Sequence, residues 1–327
     1  MPPGGKKVIV ATNSWYGPRV SLLRDLGMEE KMLPDRVDDT FREEMTGAYG
    51  LIPGLLTVDR RVLEGAPRLV IVAAHGVGYN NIDLQAADDL GILVTNSPGV
   101  NSDAVAEFTL GLILSLARRI PRCDGEMKKG GWRHPDLWGW ELREKTLSVI
   151  GLGRIGSRVS RLGAAFGMKV LACDPYLEGR DFQAAGALPV SREEAILRAD
   201  VLTLHTPLTE ETRGMIGRRE LEMMKREALL INTARGGIVE EEDLAEALDR
   251  GWIAGAGIDV FCEEPPPSER LAAHPRALCS PHMAGLSTEA RFRMSQGAAE
   301  RVACALRGEC PPDVVNAPSN PRYLRMG

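Results

Sequence analysis

Midway along the chain, "TLSVIGLGRIGSRVSRLGAAFGMKVLACDPY" (residues 146–176) sets a Gly-x-Gly-x-x-Gly run between a short apolar stretch and an amphipathic one. Such a turn leaves little choice of architecture. Gly151 permits the tight exit from a strand, Gly153 lets backbone approach a pyrophosphate closely, and Gly156 lets the next helix lie against the sheet with its N-terminus facing the anion. Alone the motif is weak, because a glycine-rich strand-to-helix turn needs no ligand. It gains specificity from "KVLACD", which ends at Asp174, 23 residues beyond Gly151. A carboxylate there can accept from the ribose hydroxyls of a dinucleotide and repel a 2′-phosphate.

A fingerprint of this kind normally opens its domain, so the residues before it need an account of their own. "KVIVAT", "LVIVAA" and "GILVTN" are short β-branched runs separated by helical patterns such as "VDRRVLEG" and "DLQAADDLG". Unbroken apolar strands of that length suit parallel sheets covered on both faces. A second series, "TLSVIG", "KVLACD", "DVLTLHT", "ALLINTA" and "AGAGIDV", alternates with helices such as "RIGSRVSRLGAAFG" and "EEDLAEALDRG". The pattern predicts an α/β fold with two parallel-sheet domains, which 327 residues are enough to fill. No repeat or linker run separates them; Pro-rich punctuation is confined to "EEPPPSER" and "ECPPDVVNAPSN".

Composition excludes several classes of partner. The net charge of −5 is spread, with Lys and Arg in ones and twos, and offers no footprint for nucleic acid. Six cysteines show neither Cys-x-x-Cys nor His at ligand spacing, so neither a metal site nor a disulfide scaffold is expected, and a reducing cytoplasm fits best. The start, "MPPGGKKVIVAT", reads as a first buried strand and not as a secretory leader. The most apolar helix, in "AVAEFTLGLILSLARR", has only about ten uninterrupted apolar or small residues, against roughly 20 for a membrane span. Asn101, Ser102 and Asp103 supply its N-terminal signals, and Arg118 and Arg119 its C-terminal ones.

Three later stretches carry the residue types that hydride transfer to a 2-oxo acid needs. "INTARGGIVEEEDLAEAL" puts Arg235 after one strand, "GAGIDVFCEEPPP" puts Glu264 after another, and "CSPHMAGLS" puts His282 after a third. Strand C-terminal ends line the ligand crevice of open α/β sheets. An arginine can hold a carboxylate bidentately and polarise a carbonyl. A histidine can exchange the hydroxyl proton near neutral pH, and a carboxylate on its far nitrogen would fix its tautomer and favour the protonated form. Each also has an ordinary structural use: Arg235 in an ion pair, Glu264 as one of an exposed pair with Glu263, and His282 as a hydrogen-bonded loop residue.

With these motifs in hand, the chain resembles the D-isomer-specific 2-hydroxyacid dehydrogenases from about residue 60 to 316. The resemblance is carried by "HGVGYNNIDLQAADDLGILVTNSPGVNSDAVAEFTLGLIL", "GGW", "KTLSVIGLGRIG", "DPY", "HTPLTEETRGMIG", "NTARGGIVEEEDLAEAL", "AGAGIDVFCEEPP" and "SPHMAGLS". It implies an NAD-dependent oxidoreductase acting on a small D-2-hydroxy or 2-oxo acid, with Arg235, Glu264 and His282 as the catalytic trio. It implies Gly151, Gly153, Arg154, Ile155 and Gly156 at the pyrophosphate, Asp174 at the ribose, and Thr206 and Pro207 beside the adenine. Thr233, Ala234, Arg235, Asp259, His282, Ala284 and Gly285 would surround the nicotinamide end. A Rossmann cofactor domain, residues 99–287, would then be inserted into a discontinuous flavodoxin-like substrate domain, residues 1–98 and 288–327, which explains the central fingerprint. The active site is expected in the cleft. The loop His75, Gly76, Val77 and Gly78 would take the substrate carboxylate, together with Arg235, on N–H groups freed by Gly76 and Gly78.

Three finer expectations follow. Pro175 and Tyr176 after Asp174, in place of an arginine, favour NAD over its phosphorylated form. The apolar helix 104–117 and "GGWRHPDLWGWEL", similar to the family's dimerisation arm, point to a homodimer, although Trp132, Trp138 and Trp140 could instead cover the domain's own core. Phosphoglycerate dehydrogenases typically carry a phosphate-binding arginine two residues before the first glycine of the substrate loop. This chain has Ala74 there and stops at Gly327, so an unphosphorylated acid such as glyoxylate or hydroxypyruvate is expected over 3-phosphohydroxypyruvate. Family members also serve as NADH-sensing corepressors. That reading predicts NADH binding with no turnover across a panel of 2-oxo acids.

Overall fold

The structure is a computed structural model that describes residues 7–12, 22–266 and 269–326. Residues 1–6 of the opening stretch and Pro267 and Ser268 of the Pro-rich one lie outside the described residues. The chain forms two compact units, dividing after Asn101 and after Gly285, with the first unit resumed from Leu286.

In the first unit the described residues form one parallel sheet of β1 (Val8–Thr12), β2 (Glu29–Leu33), β3 (Ala48–Ile52), β4 (Ile71–Ala73) and β5 (Leu93–Thr95), ordered β2-β1-β3-β4-β5. This is the flavodoxin-like order. Alternate residues feed opposite faces: Val10, Leu51, Val72 and Val94 pack with Phe41, Met45 and Leu63, while Ile9, Ala11, Ile52 and Ile71 pack with Ala298, Ala299 and Val302. Double-sided burial is why β1 and β4 read as unbroken apolar runs. β2, "EEKML", is an edge strand with only Leu33 buried, and its charges keep it from reading as one. The helix Thr288–Leu306 lies close on β3, where a Cβ on Gly50 would sit 3.0 Å from Val302 Cγ1.

The second unit holds β6 (Thr146–Ile150), β7 (Lys169–Cys173), β8 (Leu188–Pro189), β9 (Val201–Leu204), β10 (Leu229–Asn232), β11 (Gly255–Ile258) and β12 (Ala277–Cys279). Their order is β12-β11-β10-β9-β6-β7-β8, all parallel. The order reverses between β6 and β9, the switch point at which doubly wound sheets bind nucleotides. The apolar helix forms as Ser102–Ala117, and Ala106, Leu112, Ile113 and Ala117 enter the core of this same unit. Trp140 packs on that core, whereas Trp132 and Trp138 stand exposed, 71% and 75% accessible. No helix among the described residues is long and apolar enough to cross a membrane.

Candidate active site

The glycine turn is built as the spacing requires. Gly151 has φ +86°, and a Cβ there would lie 2.7 Å from His205 O; one on Gly156 would lie 2.0 Å from Gly151 O. Both positions are closed to any side chain. A Cβ on Gly153 would meet nothing within 4 Å, so that glycine keeps a space open above the turn. The helix Gly156–Ala165 begins there; Ser157 N donates to Gly153 O and both Arg158 N and Val159 N donate to Ile155 O, so the N–H groups left to an anion are those of Gly153, Arg154, Ile155 and Gly156. Asp174, at the end of β7, accepts from Leu152 N at 2.9 Å and from Tyr176 N at 3.0 Å, so the ribose-side carboxylate also fastens the glycine turn. A pyrophosphate fits the open cradle over Gly153, and a ribose fits beside Asp174. At the end of β9, Thr206 Oγ1 is buried without a hydrogen-bond partner, and so is Nδ1 of the half-buried His205 beside it. Burial drives His205 down to about 3, so it is neutral.

Arg235 follows β10 in a loop held by its own backbone. Asn232 Nδ2 donates to Arg235 O at 2.9 Å, and Arg235 Nη1 donates to Ala234 O at 2.6 Å. Gly236 is obligatory, because a Cβ there would lie 1.9 Å from Phe261 O of the loop after β11. Burial lowers Arg235 from its ordinary value while the charge of Glu264 pushes back, and the guanidinium stays a cation in half-buried surroundings. Thr233 Oγ1 lies 2.8 Å from Thr109 Oγ1 of the helix Ser102–Ala117, whose hydroxyl also reaches Val105 O.

Glu264 Oε2 lies 2.7 Å from His282 Nδ1, and Glu264 Oε1 accepts from Phe261 N at 3.1 Å. Desolvation tends to raise the Glu264 carboxyl, but the hydrogen bond and charge of His282, the Phe261 N–H and the charge of Arg235 together hold it below its ordinary range. Arg235, Glu264 and His282 are thus brought together within one unit. His282 itself has φ +54°, a left-handed conformation rare for a side-chain-bearing residue.

Asp259 accounts for that conformation. It is fully buried at the end of β11, and its carboxylate accepts from Ser280 Oγ at 2.5 Å, Met283 N at 2.8 Å and Ala284 N at 2.8 Å. Its own carbonyl accepts from His282 N at 2.8 Å. The sequence reading put Asp259 beside the nicotinamide; in the structure its oxygens are engaged in clamping the histidine loop. Neither this clamp nor the Thr109 contact was drawn from the sequence. The available signal was an acidic residue closing an otherwise apolar strand, "GAGID", with no basic residue near it in the chain.

The loop of residues 75–78 belongs to the first unit. Gly76 has φ +133°, its N–H donates to Ala74 O at 2.9 Å and its carbonyl accepts from Ser97 N. A tight local turn therefore engages the N–H of Gly76 itself. The N–H groups of His75, Val77 and Gly78 have no backbone acceptor among the described residues. His75 Nε2 meets Ser295 Oγ at 2.9 Å, and burial followed by the charge of Arg291 holds its imidazole down to about 4.

Two parallel doubly wound units, one carrying a glycine cradle with an Arg–Glu–His cluster, define a nucleotide-dependent dehydrogenase of 2-hydroxy acids. The comparisons say which. Residues 110–284 match the model of the D-isomer specific 2-hydroxyacid dehydrogenase, NAD binding domain. A glyoxylate reductase of Aeropyrum pernix is 44% identical over 79% of this chain and 80% of its own length. A D-3-phosphoglycerate dehydrogenase of Methanocaldococcus jannaschii is 38% identical over 96% of this chain and 60% of its own. Among solved structures, one from Thermus thermophilus superposes with TM-score 0.87 at 37% identity, covering 94% of this chain and 99% of that one. A D-lactate dehydrogenase from Aquifex aeolicus, complexed with NAD and lactic acid, superposes with TM-score 0.83 at 30% identity, covering 95% and 100%. The chain belongs to the D-isomer-specific 2-hydroxyacid dehydrogenases and is an NAD-dependent oxidoreductase.

Proposed function

We propose that this chain reduces a short, unphosphorylated 2-oxo acid of the glyoxylate or hydroxypyruvate type, with His282 as proton donor, Glu264 as its positioning partner and Arg235 as the carboxylate and carbonyl anchor. The observation that carries the catalytic reading is the 2.7 Å pair between Glu264 Oε2 and His282 Nδ1 with Arg235 close by. Engaging Nδ1 turns His282 Nε2 toward the substrate oxygen, and a protonated ring gives its Nε2 proton to the alkoxide as it forms. Arg235 holds the carboxylate through its fork and stabilises the negative charge growing on the carbonyl oxygen. In the first unit, the loop of His75, Gly76, Val77 and Gly78 would offer backbone N–H donors to a carboxylate. Gly151, Gly153, Gly156 and the helix behind them, with Arg154 and Ile155, would hold the pyrophosphate, and Asp174 the ribose. Thr206 and Pro207 would flank the adenine; Thr233, Ala234, Ala284 and Gly285 would border the nicotinamide. When bound, that nicotinamide supplies the hydride that adds to the keto carbon.

The choice of an unphosphorylated acid is supported by Ala74, only 2% exposed just after β4, whose side chain offers a phosphate no charge. It is also supported by the glyoxylate reductases among the relatives. We infer a homodimer formed through residues 120–140: the helix Ile120–Lys128 buries none of its residues, and Ile120, Met127, Trp132 and Trp138 are exposed together with it. Six free cysteines suit the cytoplasm. The decisive experiment is NADH oxidation against glyoxylate, hydroxypyruvate, pyruvate and 3-phosphohydroxypyruvate, repeated with NADPH. The proposal expects higher kcat/KM on the unphosphorylated acids; preference for the phosphorylated one, or no turnover on any, overturns it. Sedimentation at micromolar concentration tests the dimer.

A further inference from the structure

We propose that Asn96 is a positioning residue for substrate. Together with the N–H of Ser97 it holds the carbonyls of Gly76 and Val77, so that the N–H groups of Val77 and Gly78 leave the loop on its other side as a paired donor for the carboxylate of the 2-oxo acid. The inference rests on the function proposed above and names what shapes its carboxylate loop.

All the residues concerned lie within the first unit. The loop 75–78 follows β4, and Asn96 and Ser97 follow its neighbour β5, so the two segments leave adjacent parallel strands side by side. Ser97 N donates to Gly76 O at 2.6 Å, and Asn96 Nδ2 donates to Val77 O at 2.8 Å. In a planar trans peptide the N–H points opposite to the C=O. Holding the two carbonyls from one side therefore sends the Val77 and Gly78 N–H groups, which have no backbone acceptor among the described residues, to the other. Successive N–H groups on one side of a turn form an anion-binding concavity. A carboxylate has lone pairs for both.

The holding segment is itself fixed from behind. Asn96 N donates to Asp313 O at 3.3 Å, and Thr95 bridges Val314 in the antiparallel sense. Asp313 has φ +57°, a left-handed conformation that costs free energy in a residue with a side chain. Arg301 of the helix Thr288–Leu306, its side chain only 11% exposed, pairs with Asp313 and donates through Nη1 to Gly297 O at 2.8 Å. Asn96 is buried, and its place demands an amide NH2: an aspartate of the same size would set a carboxylate oxygen against Val77 O. Ser97 contributes its backbone N–H, so Asn96 is the side chain on which the orientation of these N–H groups depends.

The test compares Asn96→Ala and Asn96→Asp with the wild type by steady-state kinetics on glyoxylate and by NADH titration. In parallel, amide proton–nitrogen NMR spectra of the deuterated, NADH-loaded full chain are followed with oxamate as the carboxylate probe. KM for glyoxylate should rise about threefold to tenfold in Asn96→Ala and by more in Asn96→Asp, as loss of one hydrogen bond allows, with kcat within about threefold of wild type and NADH affinity unchanged. Oxamate should move the Val77 and Gly78 amide protons downfield in the wild type and less far in both variants. KM or oxamate shifts untouched by either substitution overturn the inference, as does a fall in kcat and NADH affinity with KM unmoved, the mark of general damage. Should Asn96→Ala not fold, Asn96→Asp, equal in size to the native residue, decides. Failure of the underlying function looks different. If no 2-oxo acid is turned over, that function fails while oxamate shifts that depend on Asn96 still sustain the positioning; if oxamate leaves both amides unmoved in the wild type, the loop is not the carboxylate site and both fall.

Discussion

Asp259→Asn isolates the clamp beneath His282 from the chemistry above it. The native carboxylate accepts three hydrogen bonds from Ser280, Met283 and Ala284 in a fully buried setting. An amide offers one acceptor oxygen. With that oxygen kept on Ser280 and Met283, the NH2 group faces Ala284 N across a 2.8 Å gap, donor against donor. One charge-assisted bond, about 1.5–3 kcal/mol, is lost outright, and the two that remain become neutral–neutral. The total falls near 2–4 kcal/mol, and the loop must also hold His282 in a left-handed conformation that costs roughly 1–2 kcal/mol. Once the loop relaxes, His282 leaves Glu264. We expect kcat/KM to fall between about 30- and 1000-fold, with thermal melting still cooperative and NADH binding retained. Steady-state NADH oxidation, with fluorescence titration of NADH, measures both. An Asp259→Asn enzyme within about threefold of wild type would falsify the clamp.

His282→Ala removes the proton donor and should cost about 10²–10⁴ in kcat, with NADH affinity little changed; near-normal turnover would mean that another group is the acid. The glycines should separate by role: Gly153→Val places its side chain in open space, so melting should hold while NADH binding weakens, whereas Gly156→Ala meets Gly151 O and should lower the melting temperature. Equal effects in the two variants would contradict the cradle. Acid stability follows from His75, held down to about 4, and His205, held down to about 3, against about 6.5 when unfolded. Below pH 6.5 the unfolded chain binds protons that these folded histidines refuse, so stability is full above 6.5 and falls by about 1.4 kcal/mol per pH unit for each as pH drops toward those folded values. Urea midpoints at pH 7 and 5 measure the slope, and His75→Gln should reduce it; a slope untouched by that change counts against a buried neutral His75.

How much of this could be read from the chain differs by residue for physical reasons. β1, β4, β6 and β10 were legible because a parallel strand covered on both faces has no polar alternation to obscure it. β2 was not, because an edge strand with only Leu33 buried does not need apolar residues. Gly151 and Gly156 were legible because no other residue fits their surroundings, whereas the fate of the Gly76 N–H depends on a local turn that spacing does not reveal. Arg235, Glu264 and His282 could be named from the motifs around them. The Asp259 clamp is visible only when hydrogen-bond partners can be counted.

The order of strands explains why residues 47 positions apart in the chain, Arg235 and His282, share one site. β10, β11 and β12 are consecutive neighbours in the second sheet, all parallel, so the loops leaving their C-terminal ends emerge side by side. Arg235 follows β10, Glu264 follows β11 and His282 follows β12. Asp259, the residue after β11, then reaches the loop after β12 through its carboxylate, and Gly236 lets the loop after β10 touch Phe261 of the loop after β11. Each catalytic side chain is therefore fixed by its neighbour's loop as well as its own. Replacing Gly236 should thus disturb Glu264 across the β10–β11 contact, although the glycine touches neither carboxylate nor imidazole; Gly236→Ala with unaltered kcat/KM would break that chain of support.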